Sequence, residues 1–459
     1  MPKKKTALTI EERLQQALVP AEEQPYEVPE NWVWVRLGDV NKYISKSVNP
    51  ISEPDKIFEL YSVPSMVDNY PEIIAGSDIG SSKQSVCKKD VLLCKINPRI
   101  NRVWKVSQFT DNELIASSEW IVIRNNHIDA NYLMYCFQSK YFREFMLSNV
   151  SGVGGSLMRA QPKYVQTYPI PLPPLSEQQR IVERIEELFA KLDEAKERLQ
   201  EVAESFAVRK AALLHKAFTG ELTKQWRLEN GVSDESWEEI TWGSFIEKIE
   251  AGKNWNALGR PPKNGEFGVV KVSAVTWGEF LEDESKTCTE ESQWNEEKRI
   301  SVGDFLFSRA NTIQLVGNCV IVKDVKRKLM LSDKILRFSF SERVYDFFAL
   351  WYTRTSSYRK QIESVASGNQ DGMRNISQNN MKTIIFPLPT LTEQHEIVRL
   401  IDDLLARERA AQQATEQALA SIDLMKKSIL ARAFRGELGT NKASEASALE
   451  LLKQVLAED

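Results

Sequence analysis

Lysine and arginine are concentrated in two short stretches of a chain that is slightly acidic overall. Seven basic residues accompany one acid between Lys83 and Lys105, and eleven accompany four between Arg309 and Lys360, whereas the whole chain has 60 basic and 64 acidic residues. Such clusters are typical of surfaces that bind a polyanion, because phosphate contacts supply most of the affinity for DNA. Neighbouring amides and arginines could read base edges. The candidate DNA-binding residues are therefore Lys83, Lys88, Lys89, Lys95, Asn97, Arg99, Arg102 and Lys105 in the first stretch, and Arg309, Asn311, Lys326, Arg327 and Lys328 in the second. The alternative is that each stretch is an ordinary solvated face.

Glycine-rich segments follow both stretches: SGVGGSLMR at residues 151–159 and SGNQDGMR at residues 367–374. A loop that binds a nucleoside triphosphate would need the pattern GxxxxGK[ST], which occurs nowhere in the chain. We therefore expect these segments to be loops that approach DNA, or simple turns.

Motifs for catalysis are missing from the sequence. The string INPRI at residues 96–100 has arginine where an adenine methyltransferase motif needs its second proline, and Pro54-Asp55 lacks the spaced Glu-x-Lys of a restriction nuclease. The three histidines lie far apart and the five cysteines form no CxxC pair, so no metal site is predicted. No apolar run is long enough for a membrane span, and the cysteine usage fits a reducing compartment. The sequence thus predicts a cytoplasmic protein that is not an enzyme by itself and binds no cofactor.

An internal repeat determines the organisation of the chain. Residues 171–182 (PLPPLSEQQRIV) match residues 387–398 (PLPTLTEQHEIV), and AFTGEL at 217–222 matches AFRGEL at 433–438, both at an offset of 216. About 20 of 52 aligned positions are identical without a gap. This segment is therefore a duplication.

Each copy is predicted to be one long helix. Ser176 and Thr392 are the expected N-caps, with Gln179 completing a capping box in the first copy and His395 weakening it in the second. Gly220 and Gly436 are the expected helix stops. The apolar positions of the first copy are Ile181, Ile185, Leu188, Leu192, Ala195, Leu199, Val202 and Phe206, and those of the second include Ile397, Ile401, Leu404, Ala411, Ala418, Ile422, Met425 and Ile429. This period of 3.5 residues favours two helices of about 60 Å that pack on each other as a coiled coil.

The segments between the predicted helices differ in composition and pattern. VLLCKI, SEWIVIR, FLFSRA and CVIVKD are typical of strands, and YLMYCFQSKYFREFML and VYDFFALWYTRTSSYRKQIESV are typical of amphipathic helices. We therefore predict two α+β domains. They are weakly alike, since Asp90, Leu92, Lys95 and Asn97 align with Asp304, Leu306, Arg309 and Asn311. Their divergence suggests that each domain recognises something different.

The two ends of the chain also resemble each other, LQQALVPAEE at residues 14–23 and LKQVLAED at residues 452–459. Thr9 and Glu12 can form a capping box for the first. These short helices either pack together and close the molecule or are independent and frayed. The Lys3-Lys4-Lys5 run is predicted to be a solvated tail.

The duplicated PLPPLSEQQRIV and PLPTLTEQHEIV motifs, the AFTGEL and AFRGEL endings and the opening PENWVWVRLGDV resemble the DNA specificity subunit of type I restriction–modification systems. The resemblance covers essentially the whole chain. It implies two sister α+β target-recognition domains, each reading one half of a bipartite DNA site, separated by two long helices that form an antiparallel coiled coil. The implied division is 1–26 (N-terminal helical arm), 27–170 (target-recognition domain 1), 171–227 (long helix 1), 228–386 (target-recognition domain 2), 387–441 (long helix 2) and 442–459 (C-terminal helical tail).

The resemblance also implies partners. These are double-stranded DNA, two methylation subunits that carry S-adenosylmethionine, and two restriction subunits that use ATP and Mg, with no membrane. Two other hypotheses remain at this point: a single-chain adenine methyltransferase and endonuclease with unrecognised motifs, and a coiled-coil scaffold that does not bind DNA. The missing cofactor motifs disfavour the first, and the paired basic stretches disfavour the second.

Overall fold

The structure, a computed structural model, describes residues 9–151, 158–370 and 373–457. The chain forms two compact units, one made of Met1–Leu199 with Gln417–Asp459 and the other of Gln200–Glu416. Each unit contains one α+β body and part of two long helices, Leu175–Phe218 and Leu391–Ala433, here called the first and second long helix. Lys3-Lys4-Lys5 lies outside the described residues.

The first body, which we call recognition body 1, contains two main sheets. One has five strands in the order Ser47–Val48, Lys83–Ser85, Glu113–Ala116, Ile57–Tyr61 and Glu72–Ala75, and the other has three in the order Val103–Lys105, Val91–Cys94 and Trp120–Ile123. Its helices are Leu37–Val40, Ala130–Gln138, Lys140–Ser148 and Pro162–Val165. Two-stranded ribbons pair Val33–Arg36 with Pro169–Leu172 and Val150–Ser151 with Arg159–Ala160.

The second body, recognition body 2, is built on the same plan. Its two four-stranded sheets run Ile246–Ala251, Ile335–Phe340, Phe305–Ser308 and Cys319–Ile321, and Ala257–Leu258, Ser285–Cys288, Phe267–Val270 and Lys328–Met330. A smaller sheet contains Ala310–Asn311, Met373–Asn375 and Ser367–Gln370, and a ribbon pairs Glu238–Thr241 with Ile385–Leu388. The helices are Lys224–Asn230, Asp346–Tyr352, Ser356–Val365 and Gln378–Lys382.

Each long apolar helical segment predicted from the sequence divides into two helices. In body 1 the break is at Ser139, whose hydroxyl accepts a hydrogen bond from the Phe142 N–H. In body 2 the hydroxyl of Thr355 accepts from the Tyr358 N–H in the same way. These hydroxyls cap the second helix of each pair, since a short polar side chain can satisfy a free N–H of the first turn.

The two long helices have 44 and 43 residues, so each is about 65 Å long at 1.5 Å per residue. In the first unit Asp193 pairs with Lys426 at 2.5 Å and Lys196 with Asp423 at 3.8 Å, so three residues forward on one helix correspond to three residues back on the other. The helices are therefore antiparallel, and the predicted coiled-coil architecture is confirmed. Gly220 and Gly436 follow the helix ends with φ of 76° and 73°, as predicted.

The predicted apolar seam is buried at some positions, including Phe206 and Ile422, and open at others. Ile185 and Ile401 are fully buried against the two bodies. Val202 and Met425, which the heptad pattern assigned to the seam, remain 41% and 50% exposed.

The predicted N-caps of the long helices are wrong by two residues in each copy. The first helix begins at Leu175, before Ser176, and the Pro174 carbonyl accepts from the Glu177 N–H. The second begins at Leu391, and the Thr390 hydroxyl, rather than that of Thr392, accepts from the Glu393 N–H at 3.3 Å.

The two ends of the chain pack together within the first unit. The N-terminal helix Ile10–Ala17 has the predicted Thr9–Glu12 capping box. The C-terminal helix Ala448–Ala457 contributes to the same apolar core, and Arg13 donates to the Leu456 carbonyl at 3.1 Å. Of the two possibilities that the sequence left open, the packed arrangement is the observed one.

Candidate nucleic-acid interface

The first basic stretch surrounds the strand Val91–Cys94. Lys88 and Lys89 are exposed in the turn before it, and Lys89 has a left-handed φ of 76°. Asp90, the single acid of the stretch, is buried, accepts from the Cys87 N–H and forms a two-bond ion pair with Arg124 at 2.6 and 2.7 Å. Its charge is therefore matched internally, and the charge that this turn presents is positive.

Three of the predicted lysines make hydrogen bonds inside the body. Lys95 donates to the Ser118 carbonyl and Lys105 to the Asn131 side chain, both at 2.6 Å. Lys83 donates to Ser81, and burial lowers the pKa of its ammonium group. Each of these ammonium groups already donates to a protein acceptor, so only its remaining N–H groups could contact a phosphate.

The turn after the same strand presents arginine. Asn97 has a left-handed φ of 45°, its N–H donates to the Met158 carbonyl, and its carbonyl accepts from the Ile100 N–H. Arg99 is exposed at the tip of this turn, and its carbonyl accepts from Arg143. Arg102 is half-buried and donates to the Ile96 carbonyl.

The glycine-rich segments form β-ribbons against these turns, although residues 152–157 and 371–372 lie outside the described part of the chain. The Ala160 N–H donates to the Lys95 carbonyl, and the Ile376 N–H donates to the Arg309 carbonyl in the same way. Lys95 and Arg309 are therefore structurally equivalent, as the sequence alignment predicted.

Two arginines in these ribbons were missed by the sequence interpretation. Arg159 lies opposite Ile96 and pairs with Glu119 at 3.3 Å, and Arg374 lies opposite Asn311. The shared Met-Arg dipeptide of the two glycine-rich segments was a usable signal. The dipeptide is shifted by one position between the bodies, however, so the two arginines occupy alternate faces of their strands.

The second basic stretch does not form one surface. Arg309 and Asn311 lie beside the ribbon, where Asn311 donates to the Thr276 hydroxyl at 3.2 Å. Lys328 begins a strand of a separate sheet, and Lys326 and Arg327 lie in the loop before it. There Lys326 pairs with Asp324 at 3.6 Å and Arg327 with Asp283 at 2.6 Å, while Lys328 is exposed.

Other arginines of this stretch serve the fold. Arg337 pairs with Glu250 at 2.7 Å and Asp304 at 3.1 Å. Arg354 and Arg359 donate to backbone carbonyls, and burial lowers the pKa of both guanidinium groups. Counting charge along the sequence overestimated this surface, because its acidic partners come from other segments.

The duplicated Glu-Gln pair of each long helix attaches that helix to a body. Gln178 accepts from the Asp129 N–H and donates to the Pro173 carbonyl, at 2.8 and 2.9 Å. Gln394 accepts from the Tyr345 N–H and donates to the Pro389 carbonyl, at 2.8 and 3.0 Å. Each Gln thus fixes the start of a body helix pair relative to the long helix.

The two glutamates are fully buried and have different partners. Glu177 accepts from the Trp32 indole and the Asn441 amide at 2.8 and 2.9 Å, and burial raises the pKa of its carboxyl group. Glu393 accepts from the Trp237 indole at 3.1 Å and from Arg227 at 2.6 Å. The first carboxylate is therefore held by neutral donors, and the second by a cation.

A family model described as the type I restriction modification DNA specificity domain matches residues 29–204 and again residues 234–419. The chain belongs to this family. Among its relatives, the type I restriction enzyme EcoKI specificity subunit of Escherichia coli strain K12 is 27% identical over 347 residues, which is 72% of each chain. The EcoEI specificity subunit of Escherichia coli is 23% identical over 480 residues, covering 83% of this chain and 79% of the relative.

A solved structure has the same fold. The HsdS subunit from Thermoanaerobacter tengcongensis superposes with a TM-score of 0.66 at 21% identity, over 90% of this chain and 99% of that one. The prediction that the chain is a type I specificity subunit with two recognition domains is confirmed. Members of this family are the specificity subunits of such enzymes and not their catalytic subunits, so the chain is not an enzyme by itself.

Among the described residues, no group of three or more His, Cys, Asp or Glu side chains is arranged to hold a metal ion. No helix among residues 9–151, 158–370 and 373–457 is long and apolar enough to cross a membrane.

Proposed function

We propose that this chain recognises a bipartite, asymmetric DNA site and brings two methylation subunits, and two restriction subunits, to it. Residues 27–170 and 228–386 each read one half-site, residues 171–227 and 387–441 set their separation, and residues 1–26 and 442–459 complete the attachment of the first body. S-adenosylmethionine belongs to the methylation subunits, and ATP with Mg to the restriction subunits. We place the assembly in the cytoplasm, where it meets DNA.

The proposal is supported by the two bodies having the same backbone arrangement but different side chains at equivalent positions. Lys95 and Arg309 occupy equivalent places, and their N–H groups donate to the carbonyls of Glu119 and Lys334 respectively. The residue that accepts this hydrogen bond is therefore acidic in body 1 (Glu119) and basic in body 2 (Lys334). Two surfaces with one backbone pattern and different hydrogen-bonding groups are suited to two different half-sites.

Within each body, we propose that the exposed members of the basic stretches contact phosphate. Lys88, Lys89 and Arg99 fill this role in body 1, because they project from turns whose backbone is fixed by hydrogen bonds. In body 2 the role falls to Arg309 and Asn311, which are half-buried beside the ribbon. Residues 326–328 contribute less, since two of the three are paired with carboxylates.

Exchange of one body tests this proposal. Residues 41–161 are replaced by the corresponding segment of a relative, which leaves the ribbon between Val33–Arg36 and Pro169–Leu172 intact. We expect one half-site to change and the other to remain, because each body has its own core. The readout is genome-wide sequencing of methylated adenines in cells that carry the complete system. A change in both half-sites would contradict independent recognition.

A further inference from the structure

Each recognition body exposes a large apolar side chain in the turn after its parallel-paired strand. Strand Ile57–Tyr61 pairs in parallel with a neighbour, and Val67 in the turn that follows is 87% exposed. Strand Phe267–Val270 is also paired in parallel, and Trp277 in the turn that follows is 67% exposed. Single exposed apolar side chains are common on protein surfaces, so Trp277 is of interest because of the turn that holds it and the residues beside it.

The turn that carries Trp277 is held on both sides. The Thr276 carbonyl accepts from the Asn318 amide at 2.8 Å, and the Gly278 carbonyl accepts from Arg354 at 3.2 Å. Gly278 has a φ of 98°, which a residue with a side chain rarely adopts. The indole therefore extends from a fixed backbone, so little conformational entropy is lost when it meets a ligand.

Both turns adjoin the candidate DNA-contacting residues. Asn311 donates to the Thr276 hydroxyl, directly beside Trp277. In body 1, Met66 beside Val67 packs on the same apolar cluster as Ile96, the neighbour of Asn97. Trp277 therefore adjoins the proposed DNA surface of body 2, and Val67 follows a residue that shares an apolar cluster with Ile96.

The cleft beside Trp277 is lined by four basic and three acidic side chains, from Lys210, Glu279, Lys323, Asp324, Arg354, Asp402 and Arg409. Its charges largely cancel, so phosphate attraction there is small. The exposed indole of Trp277 can bind a base by stacking on its face.

We propose that Trp277 stacks on a base of the second half-site at an opened base step. The inference rests on the proposed function and adds how the DNA is held. An enzyme that modifies a base must take it out of the duplex. Apolar side chains that insert between base steps stabilise such distorted DNA.

The test uses the full chain in complex with its methylation subunits and a duplex that carries both half-sites. Trp277→Ala should raise Kd for this duplex about tenfold or more, as loss of one stacked base predicts. The slope of log Kd against log salt should not change, because stacking releases no counterions. Trp277→Phe should keep most of the affinity. Leu228→Ala, which removes a side chain that is 70% exposed in the same unit, is the matched control and should have no effect.

A second readout locates the contact. 2-Aminopurine placed along the second half-site should show a change in fluorescence on binding at one position, and that change should be lost in Trp277→Ala. Unchanged Kd and fluorescence in the folded Trp277→Ala complex would overturn the inference while leaving the proposed function intact. Loss of methylation-subunit binding with unchanged DNA affinity would also overturn it, in favour of a protein contact. Failure of the wild-type complex to bind the duplex specifically would refute both proposals.

Discussion

If the paired long helices set the distance between half-sites, lengthening them should lengthen the spacer in the DNA. The structure determines where to insert, because Lys196 pairs with Asp423 across the antiparallel helices. One heptad is placed after Lys196 and one before Asp423, so that the insertions lie opposite each other. Seven residues preserve the a and d positions on both sides.

The expected change follows from helix geometry. Seven residues at 1.5 Å add about 10 Å to the helix pair. At about 3.4 Å per base pair this corresponds to about three base pairs of spacer. The DNA groove turns by about 100° over that distance, given about 10.5 base pairs per turn. DNA twisting and bending absorb part of the mismatch, so we expect an increase of two to four base pairs.

The assay is methylation of oligonucleotides with graded spacers by the reconstituted complex. A heptad in the first long helix alone is the control, and it should reduce activity at every spacer because the residues that follow Lys196 are displaced from their partners on the second long helix. A double-insertion complex that is folded and active but still prefers the original spacer would show that the long helices do not measure the DNA.

Two further predictions concern charge. Arg99→Ala with Arg102→Ala should weaken DNA binding and reduce the salt slope by about one unit for each lost phosphate contact, and an unchanged slope in a folded variant would show that these arginines are only solvated. Glu393→Gln should lower the free energy of unfolding, measured in urea, by about 3 kcal/mol, because it removes the buried partner of Arg227. Glu177→Gln loses one hydrogen bond from a neutral donor and should lower it by about 1 kcal/mol. Because the pKa of Glu177 is raised, its contribution to stability is full at acidic pH and is lost as pH rises. The cost of Glu177→Gln should therefore shrink between pH 4 and pH 7. Equal costs for the two variants would contradict the difference between a carboxylate held by neutral donors and one held by a cation.

The features that the sequence could predict are those that repeat along the chain. The matched 52-residue segments predicted two long helices, and Gly220 and Gly436 marked their ends, because helix periodicity and helix termination are local properties. The alignment of Lys95 with Arg309 also identified equivalent backbone positions in the two bodies.

The features that the sequence could not predict depend on partners from distant segments. Arg327 counted as free charge along the chain, but Asp283 lies beside it once the sheets form. Ser176 and Gln179 matched a capping box, yet the Pro174 carbonyl already accepts the first helical bond. Trp277 has no pattern in its neighbourhood, and only its exposure on a braced turn makes it a candidate.

The buried glutamates explain why the two ends of the chain meet. Glu393 receives its hydrogen bonds from Arg227 and Trp237, which lie on one continuous connection between the first long helix and body 2. Glu177 receives its bonds from Trp32 and Asn441, which lie near opposite ends of the sequence. The residues that donate to the buried glutamate therefore come from one continuous segment in the second copy of the repeat and from two distant segments in the first. Since a buried carboxylate without partners is costly, the first copy can be completed only when the two ends of the chain come together.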